Sequence, residues 1–144
     1  MAKKRSALAS KGEALRRKIY GDAHVDKSYR DADDFMMMFQ DFTDECGWGL
    51  VWSRPGIDLK TRALLSLAMT AAQSQAGAVN MHAKTCLRAG WTKAEIGEAL
   101  LHAYCYAGAY ASLSSFQAAK EAFDELERAS EPVGIKKAQP KRSR

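Results

Sequence analysis

The segment from Trp48 to Arg62, WGLVWSRPGIDLKTR, sets two tryptophans and an arginine directly before a Pro-Gly turn, and His82 follows on an otherwise apolar stretch. Arginine carries a planar fork of donors that suits a carboxylate and also stacks on indole. Histidine titrates nearest neutral pH, so it is the side chain best fitted to move a proton. An apolar wall, a fixed cation and a proton carrier together suit a small anionic substrate.

On a helix, Val79, His82, Cys86 and Ala89 share one face, with Ala83 and Leu87 beside it, while Lys84 and Arg88 point the other way. His82 therefore belongs to the buried side. Two readings fit that position: a core or interface histidine satisfied locally, and a general acid or base. Arg54 is either an anchor for a substrate carboxylate or a surface arginine lying along Trp52. Trp48 and Trp52 stand one helical turn apart, a spacing that serves a core as readily as a pocket wall. His24 sits in the segment GDAHVD, which reads as a loop. Binding residues concentrate in loops, though a surface turn residue fits equally. His102 shares a polar face with Glu95 and Glu98, and a solvated or intersubunit ion pair accounts for it.

The sequence has no Gly-rich phosphate loop, no H-E-x-x-H and no G-x-S-x-G. Its three cysteines, Cys46, Cys86 and Cys105, contain no C-x-x-C pair and no even disulfide framework. The expected chemistry needs neither cofactor nor metal.

Helices must position these residues, because no alternating β-branched run lies between turn signals. A first helix is predicted over Ala7–Ile19, ending at Gly21. A second, from about Tyr29 to Glu45, carries Phe35, Met38, Phe39 and Phe42 on one stripe and stops at Gly47 and Gly49. Asp58 reads as the N-cap of a third helix, which is apolar nearly all round from Ala63 to Ala72. A fourth runs from about Gly77 to Ala89. Thr92 and Glu95 form a capping box for a fifth, which reaches Tyr106. After a small-residue segment from Gly108 to Ser115, a last helix continues to about Ala129. The expected fold is a compact all-α domain of about six helices over residues 7–130, between a basic tail at 1–6 and a disordered basic tail at 131–144.

The overall charge of +5 belongs to those ends. Lys3, Lys4 and Arg5 bring three positive charges and the segment from Glu131 a net four, so residues 6–130 carry −2. A nucleic-acid binder shows its basic face on the folded body, so no nucleic-acid partner is expected. The apolar runs stop short of a membrane span, and Met1–Tyr20 lacks the apolar core of a secretory signal. The cytoplasm is the expected compartment.

The segments GDAHVD (21–26), WGLVWSRPGIDLKTRALLSLAMTAA (48–72) and NMHAKTCLRAGWTKAEIGEALLHAYCYAG (80–108), with the terminal helix, resemble the carboxymuconolactone decarboxylase family. This is a cytoplasmic all-helical group related to the alkylhydroperoxidase D-type proteins, and the likeness covers about Gly21 to Phe123. It implies a ring-forming homo-oligomer, a trimer or hexamer, with active sites near subunit contacts. It also implies that His82 is the proton carrier. The peroxidase branch has a C-x-x-C pair where this chain has Gln75 and Ala78, so thiol peroxidase chemistry by that route is excluded. Decarboxylases commonly carry a glutamate at the position of Ala78, and the family's Y-A-G-x-P segment has Tyr110 here in place of proline.

The reaction implied by this likeness is loss of carbon dioxide from 4-carboxymuconolactone, giving the β-ketoadipate enol-lactone of aromatic catabolism. The substrate supplies its own electron sink in the lactone carbonyl. Arg54 would pair with a carboxylate, a charge-assisted bond of roughly 1.5–3 kcal/mol. Trp48 and Trp52 would wall out water. His24 would line the site, and His82 would deliver the proton, worth about 10²–10⁴ in rate. Another lactone or keto-acid enzyme on the same scaffold, and a ring-forming ligand binder without catalysis, are the alternatives.

Overall fold

In the computed structural model residues 5–130 are described, and they form seven α-helices and one π-helical segment. The helices are α1 (Ala7–Tyr20), α2 (Asp22–Arg30), α3 (Asp34–Phe42), α4 (Leu59–Ala72), α5 (Ala76–Arg88), α6 (Lys93–Ala107) and α7 (Ala109–Ser130), with the π-helical segment Thr43–Trp52 continuing α3. The all-α class is as expected from the sequence. Among the described residues no helix is long and apolar enough to cross a membrane. The predicted tail at 131–144 lies outside the described residues.

Helices α4 to α7 share one core of small and branched side chains: Ala63, Leu67 and Ala71 meet Val79, Ala83 and Cys86, with Ile96, Leu100 and Ala103, and Ala118, Ala119 and Ala122. Alanine at so many contacts lets the helix backbones approach closely. Leu67 and Leu100 supply the bulk, and truncating either to alanine costs about 2–5 kcal/mol. Asp58 caps α4 through the Thr61 amide, and Thr92 with Glu95 closes a capping box at the start of α6, as the sequence predicts.

The chain departs from the predicted elements in four places, each for a local reason. GDAHVD is not a loop. Gly21, at φ 89°, closes α1 onto the Arg17 carbonyl, and its own carbonyl accepts from Val25 to begin α2. The second predicted helix is divided by Asp33, whose extended backbone and carboxylate cap a new helix at Met36. Gly47 and Gly49 do not end it either. The coil widens instead, so that the Ser53 amide reaches back five residues to the Trp48 carbonyl. A Cβ at Gly12 would lie 1.8 Å from the Asp44 carbonyl oxygen, and one at Gly49 would lie 2.8 Å from that of Leu8. Those glycines permit backbone contact between α1 and the π-segment. At the other end, Gly108 at φ 87° separates α6 from α7, and the small residues after it are helical from the start.

A buried polar network fixes this N-terminal layer. Asp44, with no exposed surface, pairs with Arg5 and with Arg16 at 3.2 Å and accepts from Tyr29. Arg16 also donates to Gln40 at 2.8 Å. Arg5 thus ties the start of the chain to the π-segment, and Ser6 beside it caps α1. The stripe of Phe35, Met38, Phe39 and Phe42 is 60–76% exposed, with only Gln40 buried on α3. It forms no part of this chain's own core.

Candidate active site

Helix α5 turns His82 towards the N-terminal layer, while its neighbours Val79, Ala83 and Cys86 face the bundle core. The His82 ring, 8% exposed, lies 6.2 Å from that of Tyr20, centroid to centroid. Tyr20 ends α1 and in turn meets His24 at 5.2 Å and Trp48 at 5.0 Å, both edge-on. Trp48 stacks at a tilt on Trp52, 4.6 Å away. Four of the five residues singled out in the sequence therefore belong to one aromatic cluster. The fifth, Arg54, is exposed.

Local structure explains each position. Gly21 lets α2 start at once, which places His24 one turn beyond Tyr20. The π-segment carries Trp48 inward, buried at 4% exposure, and leaves Trp52 half-buried above it. Arg88, at the end of α5, donates to the Tyr20 carbonyl at 3.0 Å and ties the helix of His82 to the end of α1. Arg54 follows Trp52 on a turn, and its carbonyl accepts from the Arg62 guanidinium at 3.0 Å. Asp58 caps its own helix instead of pairing with Arg62.

Two concavities flank the cluster. One, of about 270 Å³, is lined by His24, Lys27, Ser28, Asp31, Met36 and Gln40 among others. The other, of about 460 Å³, is lined by Lys11, Leu15, Trp52, Arg54, Ile57 and Asp58 among others. His82 lines neither.

The electrostatics favour neutral imidazoles beside a cationic rim. Burial alone pulls the His82 pKa below the ordinary histidine value, and its Nδ1 is buried without a hydrogen-bond partner. His24 is pulled down by loss of water, then by the positive charges of Arg16, Arg88, Lys84 and Lys27. Burial pushes the Tyr20 phenol up to about 12, with Arg16 opposing weakly, so it stays protonated. Ala78, one turn before His82, leaves that ring without a carboxylate on its own helix.

The thiols stand apart from this chemistry. Cys86 is buried in the core with its pKa pushed up to about 12 by burial, which keeps it an unreactive thiol. Among the described residues no three of His, Cys, Asp and Glu converge as metal ligands would. His102 is exposed on α6 beside Tyr106 and borders an apolar concavity that also includes Glu95 and Glu98. Tyr110 is exposed in the first turn of α7.

Tyr20 is the residue that sequence reasoning missed. Its one visible signal is position: an aromatic immediately before a helix-ending glycine, one turn from a histidine.

Residues 38–121 match the Carboxymuconolactone decarboxylase family. The chain is 38% identical over 122 residues to the 4-carboxymuconolactone decarboxylase of Acinetobacter baylyi, an alignment covering 85% of this chain and 91% of that protein. It is 36% identical over 101 residues to nitrosuccinic acid decarboxylase npaB of Metarhizium robertsii, covering 70% and 71%. The family match falls on the segments that carry Trp48, Trp52, Arg54 and His82, and the chain belongs to the carboxymuconolactone decarboxylase family.

Proposed function

We propose that this protein is a decarboxylase of a small carboxylated lactone, converting 4-carboxymuconolactone to the β-ketoadipate enol-lactone. One observation carries the reading: a buried imidazole with a free Nδ1 lies beside Tyr20, whose ring also meets the Trp48–Trp52 stack. The names of both relatives support it.

In this account the carboxylate-bearing C–C bond breaks heterolytically and carbon dioxide leaves. The electron pair passes into the substrate's own lactone carbonyl. Arg54 holds a substrate carboxylate, His24 and its surrounding cations make the approach electropositive, and the two tryptophans keep the reacting carbon dry. His82 then protonates carbon. Burial favours its neutral form in the unliganded protein, and a bound anion beside it raises its proton affinity and loads it for that step.

The absence of a carboxylate at Ala78 favours a second reading, in which a different activated acid is the substrate. Nitrosuccinic acid, named for the second relative, is the test case, because a nitro group accepts the released pair much as a carbonyl does.

We further propose that the protein works as a homo-oligomeric ring, a trimer or hexamer, in the cytoplasm. The exposed apolar side chains of α3, with Leu65 and Met69 on α4 and Leu101 and Leu113 on α6 and α7, support self-association. The free thiols suit a reducing compartment.

The deciding experiment follows consumption of 4-carboxymuconolactone by ultraviolet absorbance and of nitrosuccinate by carbon dioxide release, with native mass determined on the same sample. Turnover of the lactone supports the first reading and turnover of nitrosuccinate alone the second. Turnover of neither removes both.

A further inference from the structure

We infer that the Tyr20 hydroxyl donates the hydrogen bond that stabilises the oxygen gaining negative charge as carbon dioxide leaves. This inference rests on the decarboxylase reading and adds a catalytic residue to it.

Tyr20 is half-buried, so its hydroxyl can meet a bound molecule without leaving a sealed polar group unpaired. Tyr20 touches His24, Trp48 and His82 at once. Among the described residues its hydroxyl has no hydrogen-bond partner and is not sealed from the surface, whereas the nearby His82 Nδ1 is both buried and unpartnered. The Tyr20 backbone, by contrast, is fully used: its carbonyl accepts from Arg88, and the next residue closes α1. The chain therefore ties the end of α1 to α5 at this residue while leaving its hydroxyl without a protein partner.

The chemistry requires a donor at this place. When the C–CO₂⁻ bond breaks, the electron pair moves through the conjugated system onto a carbonyl or nitro oxygen. That oxyanion needs a donor already in position, which costs no reorganisation when the charge appears. A phenol held protonated by burial meets the need and keeps its proton throughout. The pair then returns to carbon to form the C–H bond with the proton from His82, and the imidazole is reprotonated from water. Charge balances without any further reactant. His82 is committed to proton delivery, so a separate group must serve the oxygen.

The test compares wild type, Tyr20→Phe and variants carrying fluorinated tyrosines at position 20, assayed on 4-carboxymuconolactone and nitrosuccinate. Tyr20→Phe removes one oxygen that has no internal partner, so near-ultraviolet circular dichroism and the urea midpoint should be unchanged. The expected result is a fall in kcat of about 10²-fold with KM changed by less than about threefold, the loss seen when a single oxyanion donor is removed. Within the fluorotyrosine series kcat should rise as the phenol becomes more acidic, a trend that a merely structural ring would not produce. A Tyr20→Phe enzyme with kcat within about twofold of wild type, or a flat fluorotyrosine series, overturns the inference and leaves the decarboxylase reading intact. Wild type inactive on both substrates overturns both.

Discussion

The Tyr20 and His82 rings lie 6.2 Å apart although one ends the first helix and the other sits in the fifth. The Arg88 bond to the Tyr20 carbonyl spans the same two helices. The candidate site is thus a seam between the α4–α7 bundle and the N-terminal layer, and its geometry depends on how firmly that layer is held.

If His82 carries the proton, the pH dependence of turnover follows from its state. Burial lowers its pKa in the free protein, so the protonated fraction is lost as pH rises through a value below the ordinary 6.5. Because kcat/KM reports the free enzyme, it should fall with rising pH through that depressed pKa. A bound substrate anion favours the imidazolium, so the corresponding fall in kcat should come at higher pH. Profiles of both parameters between about pH 5 and 8 check this, and coincident profiles would count against an anion bound beside the ring.

Arg54 is exposed on its turn and lines a concavity with Trp52. If it holds a substrate carboxylate, Arg54→Ala loses a charge-assisted bond of about 1.5–3 kcal/mol, which raises KM about 10- to 100-fold. The effect on kcat should be small, since that bond persists from ground state to transition state. Steady-state kinetics separate the two, and an unchanged KM would return Arg54 to the surface.

Asp44 joins α1 and α2 to the π-segment through Arg5, Arg16 and Tyr29. Asp44→Ala leaves the Arg16 guanidinium buried without its counter-charge, so it should destabilise by about 3–5 kcal/mol. Urea unfolding followed by tryptophan fluorescence is the measurement. A loss under about 1 kcal/mol would mean that water replaces the carboxylate.

Gly12 and Gly47 offer a matched comparison. A Cβ at Gly12 meets the Asp44 carbonyl oxygen at 1.8 Å, a backbone atom that cannot swing aside, whereas at Gly47 it meets only Thr43 Cγ2 at 3.8 Å. Gly12→Ala should cost at least about 1–3 kcal/mol and reduce activity by displacing α1 and with it Tyr20. Gly47→Ala should be neutral or stabilising by up to about 1 kcal/mol. Chemical denaturation of the two variants beside wild type tests the pair.

Those two glycines also explain where the sequence could be read and where it could not. Caps are local, so Asp58 and the Thr92–Glu95 box were legible, as was the break at Gly21. Glycine, however, serves both as a helix stop and as a site of close backbone approach, and only the partner helix distinguishes the two uses. Gly49 read as a stop because Leu8 is forty-one positions away in the chain. Periodicity showed that Phe35, Met38, Phe39 and Phe42 form an apolar stripe, but a stripe does not reveal what covers it. For the site, His82 and the tryptophans were visible as residue types on a helical pattern. Tyr20 entered only through contacts between helices that no local spacing encodes.

Replacing His82 with glutamine asks whether that imidazole carries the proton. Glutamine keeps a polar side chain of similar reach but has no titratable nitrogen. With the variant folded and wild-type turnover established, kcat for His82→Gln should fall by about 10²–10⁴. A fall of less than about tenfold would show that the proton reaches carbon by another route, and the account of this site would be wrong.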